Sequence, residues 1–401
     1  MDSMPNRPIY LDNQATTQCD PRVVAAMLPY FTEQFGNPHS VEHVMGRTAE
    51  AAVEAARAKV AALIGAGANE IVFTSGATES NNLAIRGAAL HAQAMGDKRK
   101  RVITLATEHK CVLESVAAVA ALGFEPVVLG VGPDGMLDLA VLEASLAVPT
   151  LLVSVMAANN ETGVIQDIAA IAALAHRAGA LFHTDAAQAA GKIPLDVAAM
   201  GIDLLSISGH KIYGPKGVGA LYVRRRPRVR LAPILAGGGQ ERGLRPGTLP
   251  APLIVGLGEA ARLAQAEMAE ETARIARLRD HLLVGLRAAI PDMTVNASLT
   301  ARLAGNLNLT FPGADAQAVM AAMPELCVST GSACASAAIE PSYVLAALGL
   351  SEAAAACSLR IGVGRFTSRA EIDLAVRALA GAVADARRAR HPAATERNGV
   401  A

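Results

Sequence analysis

Between Ile71 and Val223 the chain alternates short apolar runs with longer stretches of helical periodicity. The runs at 70–74, 101–105, 126–129, 150–155, 180–184, 204–207 and 218–223 have the length of buried strands. Helical segments at about 81–91, 112–122, 139–146 and 167–178 separate most of them. Strands that alternate with helices are joined by crossovers, so the sheet they form is mostly parallel. An open sheet of that kind binds its ligands beyond the carboxyl ends of its strands. Here those ends are polar: Ser75 to Thr78, His109, Asn160, Asp185 with Gln188, and Ser208-Gly209-His210-Lys211.

Taken singly, each end has a structural reading. A loop lysine usually caps a strand in solvent, and a lone histidine is more often structural than catalytic. In a dry crevice, however, a lysine loses solvation, and the neutral amine attacks carbonyls. Ser75-Gly76-Ala77-Thr78 is a small-residue turn from a strand into a helix, where free N–H groups and the dipole favour an anion. Its alternative is an ordinary cap by Ser75 or Thr78. The glycine-rich nucleotide fingerprints are absent. An Asp closing an apolar run, as Asp185 does, is either wet or paired with a cation. Together, a lysine, an aspartate and a phosphate cup are the parts needed for pyridoxal phosphate.

The rest of the chain surrounds this block. Asp20-Pro21 starts a helix expected to run to about Phe35, and a second helix spans about 48–64. Arg224-Arg225-Arg226-Pro227-Arg228-Val229-Arg230 reads as a solvated hairpin or a docking patch for an acidic partner protein. It lacks interleaved aromatics, which argues against nucleic acid. A glycine-rich segment from Gly237 to Thr248 has no core pattern and needs an outside contact, such as another subunit, to order it. One or two long helices over 253–289 lead to a smaller α/β domain. The domains expected are 15–260 for the large one, 1–14 with 261–390 for the small one, and a disordered tail at 391–401.

Equal numbers of acidic and basic side chains, 36 each, give no bulk attraction to nucleic acid or anionic lipid. No apolar run can span a bilayer, and the first residues have no apolar core of a signal peptide. The five cysteines form no CxxC pair, so neither a metal site nor a disulfide framework is expected, and a cytoplasmic location fits. Cys19, Cys111 and Cys357 are unremarkable by context, and Cys327 reads as core. Cys334 differs, because Gly331-Ser332-Ala333-Cys334-Ala335 leaves it little to be buried under.

The chain resembles the cysteine desulfurases, of the class V aminotransferase family and the aspartate-aminotransferase-like fold type I. The motifs that carry the resemblance are Leu11-Asp12-Asn13-Gln14-Ala15-Thr16-Thr17, Phe35-Gly36-Asn37-Pro38-His39-Ser40, Ser75-Gly76-Ala77-Thr78-Glu79-Ser80-Asn81-Asn82, Thr107-Glu108-His109-Lys110, Asn159-Asn160-Glu161-Thr162-Gly163, His183-Thr184-Asp185, Ser208-Gly209-His210-Lys211, Gly331-Ser332-Ala333-Cys334 and Gly364-Arg365-Phe366-Thr367. It implies a large domain with a mostly parallel sheet plus a smaller α/β domain. It further implies that Lys211 holds pyridoxal phosphate and moves the Cα proton. Asp185 pairs with the ring nitrogen, His109 stacks on the ring, and Gln188 meets its phenolic oxygen. Gly76, Ala77, Thr78, Ser208 and His210 take the phosphate, joined by Thr248 of a second subunit in a homodimer. Asn37, Asn160 and Arg360 hold the substrate, L-cysteine, and Cys334 receives its sulfur as a persulfide. The sulfur passes to an acceptor such as an iron–sulfur scaffold protein; neither nucleic acid nor membrane is an expected partner. Selenocysteine lyase and class V aminotransferase are the alternative activities, and an aminotransferase has no need of Cys334.

Overall fold

The computed structural model describes residues 7–331 and 342–390. The chain divides into two compact units. The larger comprises Thr16–Asn160 and Val164–Glu270, and the smaller takes residues up to Ala15, Glu161–Gly163 and those from Glu271 onward. Cys334 and the 391–401 tail lie outside the described residues.

The first strand, β1 (Ile9–Tyr10), belongs to the smaller unit. The larger unit is built on the next seven: β2 (Ile71–Thr74), β3 (Arg101–Leu105), β4 (Glu125–Leu129), β5 (Thr150–Ser154), β6 (Leu181–Asp185), β7 (Leu204–Ser208) and β8 (Gly219–Val223). They form one sheet in the order β2-β8-β7-β6-β5-β3-β4. The pairs from β7 to β4 are parallel, as expected, while β8 runs antiparallel to both of its neighbours. The connection explains the exception. Only a single 3-10 turn, Gly209–Lys211, lies between β7 and β8, and that is too little chain for a crossover. Every residue of β5 and β7 is buried, which is why those runs read as continuously apolar rather than alternating. Val72, Leu83, Ile85, Val102, Leu152, Leu204 and Leu221 belong to one core cluster.

One local expectation changes, and one is met. The helix begun at Asp20 is two: Pro21–Met27, capped by the Asp20 carboxylate, and Pro29–Thr32. Pro29 has no N–H to continue the first helix and takes the first position of the second. The arginine run is a hairpin in which Arg225 bridges Arg228.

The smaller unit has an antiparallel sheet of β9 (Thr294–Val295), β10 (Asn306–Thr310) and β12 (Ser358–Gly362), in the order β12-β10-β9. A separate parallel pair joins β1 to β11 (Leu326–Cys327). Leu11, Leu286, Leu307, Phe311, Leu359, Ile361 and Leu379 centre its core. One 39-residue helix, Ala251–Ala289, supplies residues to both units. No described helix is long and apolar enough to cross a membrane.

Candidate active site

The carboxyl ends of the larger unit's strands are the place to build from. β2 runs through Ser75 and Gly76 into the helix Ala77–Ala94. Gly76 has φ +149°, a conformation that side-chain-bearing residues rarely adopt, and a Cβ on Gly219 would lie 2.6 Å from the Gly76 backbone. Two glycines therefore let β2 and β8 close up at this corner, with the Ser208 hydroxyl 3.9 Å from where a Gly76 Cβ would be. No side chain caps the helix, which excludes the ordinary-cap alternative for Ser75 and Thr78. Thr74 Oγ1 is occupied instead with Ser80 Oγ at 2.7 Å. The Ser75 N–H donates to Glu79, whose carboxylate also takes Arg245 at 2.9 Å. Against the effect of burial, those bonds hold the Glu79 carboxyl below its usual range. The first N–H groups of an 18-residue helix are left for an anion.

His210 and Lys211 occupy the turn after β7. The Thr17 N–H and hydroxyl both donate to the His210 carbonyl, and Thr16 Oγ1 lies 3.0 Å from His210 Nδ1. Burial first, then the charges of Lys211, Lys216 and Lys192, pulls the His210 imidazolium down to about 4. A neutral imidazole among three ammonium groups is a site short of negative charge.

Asp185 ends β6 and is 5% exposed. Its Oδ1 accepts from the Ala187 N–H at 2.8 Å and its Oδ2 from Asn81 Nδ2 at 2.7 Å. Asn81 stands one turn into the helix that begins at Ala77, about 6 Å along its axis. One helix thus offers N–H donors at its start and a carboxylate clamp one turn later. Beside Asp185, burial pushes the Glu108 carboxyl well above the usual range, the Met156 N–H opposes this, and Asp185 adds to it. Gln188 Oε1 accepts from Lys192 Nζ at 3.1 Å.

His109, after β3, caps the helix Lys110–Ala118 by accepting the Cys111 N–H at Nδ1. Asn160 follows β5 by way of Asn159, whose amide donates to the Thr107 carbonyl at 2.8 Å. Asn37 is exposed and takes the His39 N–H within its own turn, and Thr248 is exposed beyond Gly247. The residues present fit pyridoxal phosphate: an uncapped helix start and cationic turn for its phosphate, a held carboxylate for its ring nitrogen, and a lysine for its aldehyde.

In the smaller unit Arg360, 2% exposed, sits on β12 opposite Asn308 and donates to Asp12 Oδ1 at 2.8 Å. The Glu161 carboxylate accepts from Ser342 Oγ at 2.5 Å and crowds Gly331, where a Cβ would lie 2.5 Å from its oxygen. It therefore bonds Ser342 and lies close against Gly331. Sequence reading missed Asn81, Cys111, Glu108 and Glu161. Asn81 had a signal: it shares a helix face with Ala84, Ile85 and Ala88, a polar residue at a core position.

The aminotransferase class-V family model matches residues 9–374. A cysteine desulfurase IscS of Anaeromyxobacter dehalogenans is 55% identical over 370 residues, covering 92% of this chain and 91% of that one. A cysteine desulfurase IscS of Rickettsia bellii is 53% identical over 370 residues, covering 92% and 90%. A solved NifS-like protein superposes with a TM-score of 0.87 at 34% identity, over 94% of this chain and 100% of that one.

Proposed function

Because the chain belongs to the aminotransferase class-V family and, within it, to the cysteine desulfurases, we propose that it converts L-cysteine to L-alanine and takes the sulfur on Cys334. It is a pyridoxal-phosphate enzyme, and the bound cofactor supplies the electron sink for the pair left when the Cα proton departs. Lys211 holds the cofactor's aldehyde and carries the Cα proton. Asp185, clamped by Asn81 and the Ala187 N–H, keeps the ring nitrogen protonated. Gly76, Ala77 and Thr78 at the helix start, with Ser208 and His210, take the phosphate, while His109 and Gln188 line the ring. Asn37, Asn160 and Arg360 hold the substrate; Arg360 offers the fork geometry that suits a carboxylate.

The Cβ–S bond breaks and an S–S bond forms on Cys334, so cysteine plus thiol gives alanine plus persulfide with no outside oxidant. The attacking species is a thiolate. The protein acts as a homodimer in which Thr248 completes the neighbour's phosphate site, and the persulfide passes to a protein acceptor for iron–sulfur cluster assembly. The exposed Arg225, Arg228 and Arg230, which line a cavity of about 350 Å³, support an acidic face on that acceptor.

The observation that carries this reading is Asp185, held on both oxygens one helical turn from an uncapped helix start. The test is incubation with L-cysteine, reading alanine, sulfide and intact mass. Wild type should gain one sulfur and release alanine. Cys334→Ser should bind cofactor and substrate but gain no sulfur. Desulfuration by Cys334→Ser at near wild-type rate refutes the role of Cys334.

A further inference from the structure

Four side chains of the larger unit make a continuous hydrogen-bonded chain, of which only the Asn81–Asp185 link has a role in the reading above. Asn81 Nδ2 reaches Asp185 Oδ2 at 2.7 Å and Cys111 Sγ at 3.2 Å. Cys111 Sγ lies 3.0 Å from His109 Nδ1, and the Cys111 backbone N–H donates to the same nitrogen at 3.2 Å.

The direction of every bond can be assigned. A backbone N–H only donates, so Nδ1 of His109 accepts and carries a lone pair. A thiol 3.0 Å from that lone pair must point its S–H toward it. Its sulfur is then left to accept, and Asn81 supplies the donor. The Asn81 amide has its own orientation fixed, because the reverse would set Oδ1 against the accepting Oδ2 of Asp185. In the orientation present, Oδ1 is buried with no hydrogen-bond partner, a cost that an amide free to flip would avoid. The proton of a neutral His109 therefore belongs on Nε2.

We propose that Asn81 and Cys111 are positioning residues that lock His109 as its Nε2–H tautomer, so that it presents a donor at Nε2 and cannot act there as a base. This deepens the reading of His109 as the residue over the cofactor ring and rests on it. It also bears on which group takes the proton of the Cys334 thiol: a lone pair held at Nδ1 by two donors of Cys111 is not offered to that thiol. The substrate amine or Lys211 is left for the task.

The tautomer can be read without turnover, by nitrogen-15 NMR of histidine-labelled, cofactor-free protein at neutral pH. Wild type should show His109 as the Nε2–H form. Cys111→Ala, which keeps the backbone N–H but loses the S–H, should raise the Nδ1–H population about 2- to 10-fold, the equilibrium worth of one hydrogen bond. Cys111→Ser, with a hydroxyl to donate, should restore the wild-type spectrum. In the loaded enzyme the Ala variant should lower kcat and leave KM unchanged, and the Ser variant should recover it. A wild-type spectrum dominated by Nδ1–H or imidazolium overturns the proposal, as does an unchanged tautomer ratio in Cys111→Ala. If instead the NMR results hold and wild type releases no alanine from cysteine, it is the desulfurase reading that fails.

Discussion

The two sheets deliver their chemistry in different ways. In the larger unit β3, β5, β6 and β7 run parallel, so their carboxyl ends collect along one edge, and each leads into a turn that carries a proposed site residue. In the smaller unit β10 and β12 run antiparallel, and its buried cation, Arg360, lies in mid-strand with every neighbour on β12 buried. A parallel edge exposes backbone donors next to side chains and tolerates polar residues there. A mid-strand arginine has no such outlet and must be answered locally, here by Asp12 across 348 positions of sequence. The lesson is that the first arrangement assembles a site additively, one strand end at a time, whereas the second buries a cation in mid-strand that partners distant in sequence must answer.

Mutations should expose that contrast. The largest effect is expected from Lys211→Ala, which should lower turnover by on the order of 10⁴-fold with little change in the unfolding midpoint, since Thr17 still holds the turn through the His210 carbonyl. Sulfide release and thermal melts check both halves. Asp185→Asn keeps a hydrogen-bonding side chain but loses the charge. Turnover should fall on the order of 10²- to 10³-fold while cofactor still binds, and near-normal turnover would remove Asp185 from the ring nitrogen. In the other sheet, Arg360→Lys preserves a cation for Asp12 and loses the fork. KM for cysteine should rise about 10- to 100-fold with the cofactor spectrum unchanged. A spectrum that shifted as much as in Asp185→Asn would mean the two regions do not divide the work.

The smallest effect is in stability. His183 bridges the larger sheet between Ser154 and Ser206, and burial pulls its imidazolium down to about 3. Folded His183 stays neutral where the unfolded residue, near 6.5, takes a proton. The unfolded state thus binds more protons below pH 6.5, so stability is full above that pH and is lost as the pH falls toward 3. Between pH 6.5 and 5 this group alone should cost about 2 kcal/mol, and urea titrations should show it. His210, pulled down to about 4, acts in the same direction. Stability that is flat across this range would contradict the assignment.

The same contrast explains what could be read in advance. Apolar runs that stop at a polar residue revealed the parallel strands and their ends, so Thr78, His109, Asp185 and Lys211 were visible from sequence and the sheet brings their strand ends to one edge. The antiparallel return of β8 was not visible, because strand length carries no direction. The five-residue helix Glu352–Ala356 was too short to show a period. Asp12 for Arg360, and Ser342 for Glu161, are long-range pairings that no local pattern announces. Asn81 and Cys111 fall between these cases. Asn81 broke an apolar helix face and could have been flagged, whereas Cys111 acts through a thiol and a backbone N–H whose positions only the fold defines.

The central claim is that the strand-end edge of the larger unit holds the cofactor through Lys211. Borohydride reduction of the loaded enzyme, which fixes the cofactor's carbonyl carbon to whichever amine holds it, followed by peptide mapping, tests it most directly. The cofactor mass should map to the peptide containing Lys211 and vanish in Lys211→Ala. Mapping to Lys192 or Lys216, the other two lysines around His210, would contradict the account.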